Sequence, residues 1–272
     1  MQPRSFLLFL STLAVTSASP LGRRTCGNGT VTQPSVPAPS TSVSVSVTYT
    51  LPSAGGPTSL ADPGNATLKH IVVGHGIQNY TCTGAGATAT SIGALAVLWE
   101  ITGLYPGSGP DALSSADWAG LTPRVLRTTA LPLNNLTSPD ADVSAPFPDP
   151  ADLTVDGLAA PLKFLGRHYF DGANVPTFDL SSGDASSTGT GTETMTSELF
   201  KGKRDEGVPA PEDADRGLDD TGAVDWLRLS DKGGSRGISL VYRVLTAGGA
   251  PSACIEAGQA QSVPYTAMYW MY

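Results

Sequence analysis

The last ten residues, VPYTAMYWMY, place Val263, Tyr265, Ala267, Tyr269 and Met271 on one face of an extended chain. A period of two marks a strand, because successive side chains leave the pleat on opposite sides. Strand signals recur along the chain. Ser42–Leu51 alternates Val with Ser and Thr, and Leu68–Cys82 reads as strand, glycine-containing bend, strand. Ala94–Ile101 is a near-continuous apolar run, and Phe164–Phe170 and Pro176–Leu180 flank an Asp171-Gly172 turn. Val224–Leu229 and Ile238–Thr246 follow, with a Gly248-Gly249 turn before the last segment. No stretch has the periodicity of a sustained amphipathic helix, and no internal repeat is present. The pattern predicts a single all-β domain, an antiparallel sandwich or small barrel.

Composition divides the rest. Residues 1–19 have the form of a signal peptide: Arg4, an apolar run from Phe6 to Val15, then small residues at 16–19. That run is too short to span a bilayer, which needs about 20 residues, and no later segment is a better candidate. Residues 20–40 form a Pro/Ser/Thr-rich leader in which Arg23-Arg24 is a candidate dibasic processing site. The β domain then covers 41–272. Within it, 181–222 is so polar, charged and rich in Gly and Pro that it predicts a disordered insertion. Lys203-Arg204, inside that segment, is a second candidate basic cleavage site.

The predicted compartment is extracellular. Four N-x-S/T sequons begin at Asn28, Asn65, Asn79 and Asn135, and glycans require solvent-facing positions. The net charge is -8. Loss of residues 1–24 would remove three arginines and no acid, giving -11. So acidic a chain repels phosphate backbones, which argues against nucleic acid as a partner. Of the three cysteines, Cys26 lies in the leader, whereas Cys82 and Cys254 both lie beside strand-like segments. In an oxidising compartment the expected bridge is Cys82–Cys254, with Cys26 left over. In GHGIQNYTC (74–82), Gln78, Tyr80 and Cys82 share one face, and Asn79 lies on the other. An inward Cys82 therefore sends the Asn79 glycan outward.

Motifs for chemistry are sparse. Gly84–Ala89 (GAGATA) matches the dinucleotide fingerprint, but the following TATSIGALA is β-branched with Gly93 in its middle, where the fold needs a helix. His70 and His75 lie five apart on a strand, hence on opposite faces, and no metal-ligand spacing is present. The expectation is that no metal and no cofactor is bound. His168 with Asp171, and Glu100 as a further carboxylate, are the candidates for acid–base chemistry. No nucleophile motif accompanies them, and a structural histidine beside a turn aspartate is the simpler reading. The aromatics on the strands are read first as core.

Six motifs in order carry a family resemblance: GHGIQNYTC (74–82), GALAVLWE (93–100), the 166–180 segment with GRHYFDG and VPTFDL, AVDWLRL (223–229), VYRVLTAGGAPSAC (241–254) and VPYTAMYW (263–270). Over residues 40–272 the chain resembles a secreted domain-of-unknown-function family, abundant in ascomycete fungi and present in bacteria and plants. Its fungal members often carry the label malate dehydrogenase. The resemblance implies a signal peptide, a β-rich fold, and cysteines at the positions of Cys82 and Cys254. Many fungal members have a further cysteine after the ALAVLWE segment, where this chain has Thr102-Gly103-Leu104, which leaves Cys26 without that mate. The family has no established catalytic residues to carry over.

The functional expectation is a secreted, non-catalytic glycoprotein. It would act at a fungal cell wall, on a host surface or in the medium, with carbohydrate or protein of those surfaces as partner. The alternative is a secreted carbohydrate-active or other hydrolytic enzyme using His168, Asp171 and Glu100. A malate dehydrogenase is disfavoured.

Overall fold

The structure, a computed structural model, describes residues 47–54, 58–134, 144–180 and 197–272. Eight strands follow one another: β1 (His70–Thr81), β2 (Thr90–Glu100), β3 (Lys163–Phe170), β4 (Pro176–Asp179), β5 (Leu199–Val208), β6 (Trp226–Asp231), β7 (Leu240–Gly248) and β8 (Ala260–Met271). Each pairs antiparallel with the next, and β8 closes on β1, giving an up-and-down barrel with no free sheet edge. Of the two architectures expected, the barrel is the one formed. Two short helices, α1 (Ser115–Ala119) and α2 (Leu121–Thr128), lie in the long β2–β3 connection.

The alternation seen in the sequence sorts side chains between two cores. Inside the barrel lie Val72, Ala96, Leu98, Phe178, Phe200, Leu229, Val241, Tyr265, Ala267, Tyr269 and Met271. Outside, Ile71, Val73, Val97, Trp99, Tyr242, Val244, Met268 and Trp270 are covered by Trp118, Leu121 and Val125 of the helices and by Leu153, Val155 and Leu162. Strands β1, β2, β7 and β8 are therefore buried on both faces, which is why ALAVLWEI and the end of β8 are apolar at almost every position. Helix α2 is too short to be stable alone. It is held by Leu121, Val125 and Leu126, all buried.

The expected bend in β1 is absent as a break, and the strand runs unbroken for 12 residues. Its glycines instead permit close approach. A Cβ on Gly74 would lie 2.7 Å from the Tyr269 ring, and one on Gly76 would meet the Leu95 carbonyl oxygen.

Two further expectations need correction. Val47–Leu51 forms no strand; Tyr49 instead packs its ring on Tyr105, 4.9 Å between centroids. The remainder of that segment, with the signal peptide, Arg23-Arg24, Cys26, Asn28 and Asn135, lies outside the described residues. The supposed disordered insertion contains strand β5, paired with β4 and β6. Residues 181–196 lie outside the described residues, but 197–222 are structured, with β5 followed by a connection to β6. The Lys203-Arg204 pair lies in the ladder, both residues paired with β6, so its backbone is not presented as a loop to a protease.

Candidate ligand-binding cavity

The two ends of the barrel differ. Chain direction places the β1–β2, β3–β4, β5–β6 and β7–β8 connections at one end, here the upper end. Cys82 and Cys254 are joined there, tying the β1–β2 connection to the β7–β8 connection across 172 residues of sequence. Closing so long a loop is worth about 4–5 kcal/mol in the chain-entropy view.

The lower half of the barrel interior is filled by Val72, Leu98, Leu180, Phe200, Val241 and Met271. Beneath them His70 lies between two carboxylates, Nδ1 at 2.7 Å from Glu100 and Nε2 at 2.9 Å from Glu198. Glu198 also takes Lys69 at 3.0 Å, and Glu100 accepts from the backbone N–H and hydroxyl of Thr102. The hydrogen bond to Glu100, reinforced by the charges of both glutamates, raises the His70 pKa above its ordinary value. Every polar group of this cluster has its counterpart.

The upper half holds a half-open cavity of about 730 Å³. Phe170, Phe178, Leu227, Leu229 and Tyr269 supply its apolar wall, and the loop residues Thr88, Ala89, Val224, Ala250 and Pro251 supply its rim. A bulge helps to shape it. Between Asn79 and Tyr80 the β1–β2 register slips, Ile92 loses its partner, and Ser91 is set opposite Tyr80. That slip reverses the parity set by Ala94, Ala96 and Leu98 and turns Ser91 into the cavity.

The polar groups in this wall are not saturated. Gln78 is 4% exposed, and among the described residues its Nε2 has no hydrogen-bond partner. It approaches Tyr265 closely enough to temper that phenol's pKa, though without the geometry of a bond. The hydroxyls of Tyr265 and Tyr269 bond each other at 2.8 Å, and Tyr80 donates to the Gly249 carbonyl at 2.7 Å. Burial raises all three phenols, Tyr80 to about 12, so they are neutral. His168 stacks on Phe178 with centroids 4.0 Å apart, and its Nδ1 bonds the Thr177 carbonyl at 2.9 Å. Burial pushes its pKa down to about 4. The ring is therefore neutral with its proton on Nδ1, and Nε2 is left as an acceptor.

Two cations complete the wall. Arg243 stands opposite Tyr269 and Leu227 in the ladder, hence inward, and its Nε and Nη2 donate to the Asp225 backbone carbonyl at 3.1 and 2.8 Å. Among the described residues it makes no ion pair. Arg204 stands opposite Leu229, nearer the rim, 3.6 Å from the Asp225 carboxylate.

The three candidate catalytic residues are not brought together. His168 lies in the cavity wall. Asp171 opens the β3–β4 turn, where it accepts from Ala173 N, Val175 N and Lys201 Nζ, outside the cavity lining. Glu100 belongs to the His70 cluster at the opposite end. His75 is on the outer face, bonded to the Tyr265 carbonyl and Thr266, opposite in direction to His70 as its spacing requires. Among the described residues no three His, Cys, Asp or Glu side chains converge as metal ligands. Gly84–Ala89 lies in the connection between two antiparallel strands, with no helix following.

Sequence reasoning placed Gln78 on the face of Tyr80 and Cys82 but gave it no role. It assigned Arg204 to disorder and passed over Arg243. The available signal was an arginine at an inward parity position of an otherwise apolar strand, VYRVLT.

The family described as a protein of unknown function (DUF3455) matches residues 63–272. The chain belongs to that family, and the match spans all eight strands of the barrel. No curated protein and no solved structure is significantly similar to it.

Proposed function

We propose that this domain is a secreted, non-catalytic binding barrel that takes a small organic molecule into its upper cavity. The observation that carries the reading is the cavity itself. It has the volume typical of ligand pockets, a mainly apolar wall, and one buried amide nitrogen, on Gln78, without a partner among the described residues. A buried amide without a partner costs about 1–3 kcal/mol, a cost that a ligand acceptor would remove. Secretion is supported by the signal-peptide pattern, by the sequons and by a disulfide of the kind that persists in oxidising surroundings. Of the sequon asparagines, Asn65 is exposed, and Asn79 is half-buried and accepts from the Ser262 hydroxyl. The site of action on this reading is a cell wall, a host surface or the medium, with the cargo drawn from there.

A hydrolase would need His168, Asp171 and Glu100 in one cleft, and their separation disfavours it. A malate dehydrogenase would need a doubly wound parallel sheet, and this sheet is antiparallel and closed. The test is binding of the uncharged fluorophore N-phenylnaphthylamine to the purified secreted chain. We expect one molecule per chain with enhanced fluorescence, abolished by Leu227→Trp, which fills the cavity. Absence of saturable binding to a folded protein would refute the reading.

A further inference from the structure

We propose that the cavity selects an organic acid. An aromatic or other apolar body would rest on Phe170, Phe178 and Leu229, and one anionic group would meet Arg243, with Arg204 assisting at the rim. This inference rests on the binding reading above and narrows it to a ligand class.

The cavity inverts the charge of the chain. The chain carries -8 overall, yet among the described residues the cavity lining holds two arginines against one aspartate, and its histidine is neutral. The sign is inverted where a ligand would enter. An acidic surface alone would turn organic anions away, whereas a local cationic lining gathers them.

Arg243 is oriented but not neutralised. Its Nε and Nη2 are held by a backbone carbonyl, which fixes the guanidinium plane without neutralising it. The Asp225 carboxylate, also in the lining, is 3.6 Å from Arg204 instead, in a pair that is half-exposed on both sides. Half-buried charges are normally paired, because desolvation is otherwise uncompensated. The Arg243 charge also reaches the chamber: it acts to lower the pKa of Tyr80, His168, Tyr265 and Tyr269. Nη1 is left to a ligand, and guanidinium–carboxylate bonds are among the stronger and more directional available.

The wall also carries neutral polar groups. Among the described residues Gln78 Nε2 has no acceptor, and His168 is bonded through Nδ1 to the Thr177 carbonyl, which leaves Nε2 to accept from a ligand. Both lie among apolar side chains. A hydroxyl or carbonyl on the apolar body of the acid would satisfy one or the other.

The experiment is displacement of N-phenylnaphthylamine from the full secreted chain by naphthoic acid and by its methyl ester, which share a body and differ in charge. The expected result is an acid stronger than the ester by about tenfold, the discrimination given by one charged hydrogen bond. Added salt should erode the advantage of the acid and leave the ester unaffected. Arg243→Gln should lose that factor for the acid alone, and Arg243→Lys should keep part of it. An ester equal to the acid, or an acid advantage untouched by Arg243→Gln, overturns the anion assignment while the binding barrel stands. If the fluorophore does not bind at all, both fall together. Should Arg243→Gln fail to fold, the acid–ester ratio and its salt dependence in the unaltered protein decide the matter.

Discussion

The two ends of the barrel hold histidines in opposite states. At the lower end His70 bonds two glutamates and gains basicity, and each carboxylate has further donors. At the upper end His168 is buried against Phe178 with one backbone bond, and loses basicity. The lower end is filled by apolar side chains, and the polar groups beneath them satisfy one another. At the upper end, among the described residues, Gln78 Nε2 has no partner, His168 is bonded through Nδ1 to a backbone carbonyl, and Arg243 has a backbone carbonyl but no carboxylate. Native interiors leave few polar groups unsatisfied, and the others among the described residues, Arg167 Nε, Trp226 Nε1 and Trp270 Nε1, lie on the outer face, so Gln78 Nε2 is the one such group at the cavity.

The sharpest way to break this contrast is to remove the upper end's staple. Replacing Cys82 and Cys254 together by Ala should cost about 4–5 kcal/mol in denaturant unfolding. It should also weaken fluorophore binding, because both cysteines anchor connections at the cavity rim. The lower cluster should keep its pH response. Loss of stability with unaltered binding would show that the rim does not need the bridge.

Acid acts next, through the buried histidines. His168 titrates near 4 in the folded chain against an ordinary value of 6.5, and His75 is shifted the same way by burial. A lowered folded pKa means that the unfolded state takes up protons first. Stability is full above about pH 6.5 and falls towards pH 4, by on the order of 3 kcal/mol from His168 alone. His168→Phe should flatten that part of the profile when urea midpoints are compared between pH 4 and 7. An unchanged slope would place the acid sensitivity elsewhere.

The lower end should show the reverse sign. The folded pKa of His70 is raised, so its contribution is full below about pH 6.5 and fades as pH rises through the folded value. Glu100→Gln keeps the shape and removes the charge that His70 and Thr102 face. It should cost about 2 kcal/mol in acid, the worth of a charge-assisted hydrogen bond, and less above neutrality. A uniform loss at all pH values would show that packing, not the ion pair, holds that end.

The same contrast explains what the sequence disclosed. Strands β1, β2, β7 and β8 were legible because both of their faces are buried, so apolar residues fill nearly every position. Strand β5 was not: its outer face carries Lys201, Lys203 and Asp205, and its inner positions include Gly202 and Arg204. With so little apolar signal, a segment paired on both sides reads as disorder. The disulfide was legible from the two strand patterns beside its cysteines. The site was legible only in part. Parity put Gln78 and Tyr80 on one face, but closure of β8 on β1 sets that face against Arg243 on β7, and sequence spacing does not encode ring closure. His168 and Asp171 are close in sequence, yet one faces the cavity and the other caps a turn.

The smallest expected effect tests the contrast most directly. Gln78→Leu removes a buried amide whose Nε2 has no partner and replaces it with an apolar group of similar size. A residue that served only the fold would destabilise the barrel when replaced. Here the substitution should raise stability by about 1 kcal/mol, because an unsatisfied buried group is a standing cost. The barrel should still bind the uncharged fluorophore. It should lose affinity for hydroxylated or carbonyl-bearing relatives of naphthoic acid more than for naphthoic acid itself. Stability gained together with selectivity lost would identify Gln78 as a residue kept for the ligand. Stability lost would mean that its contact with Tyr265 already satisfies it, and the unsaturated wall would then reduce to Arg243 and His168.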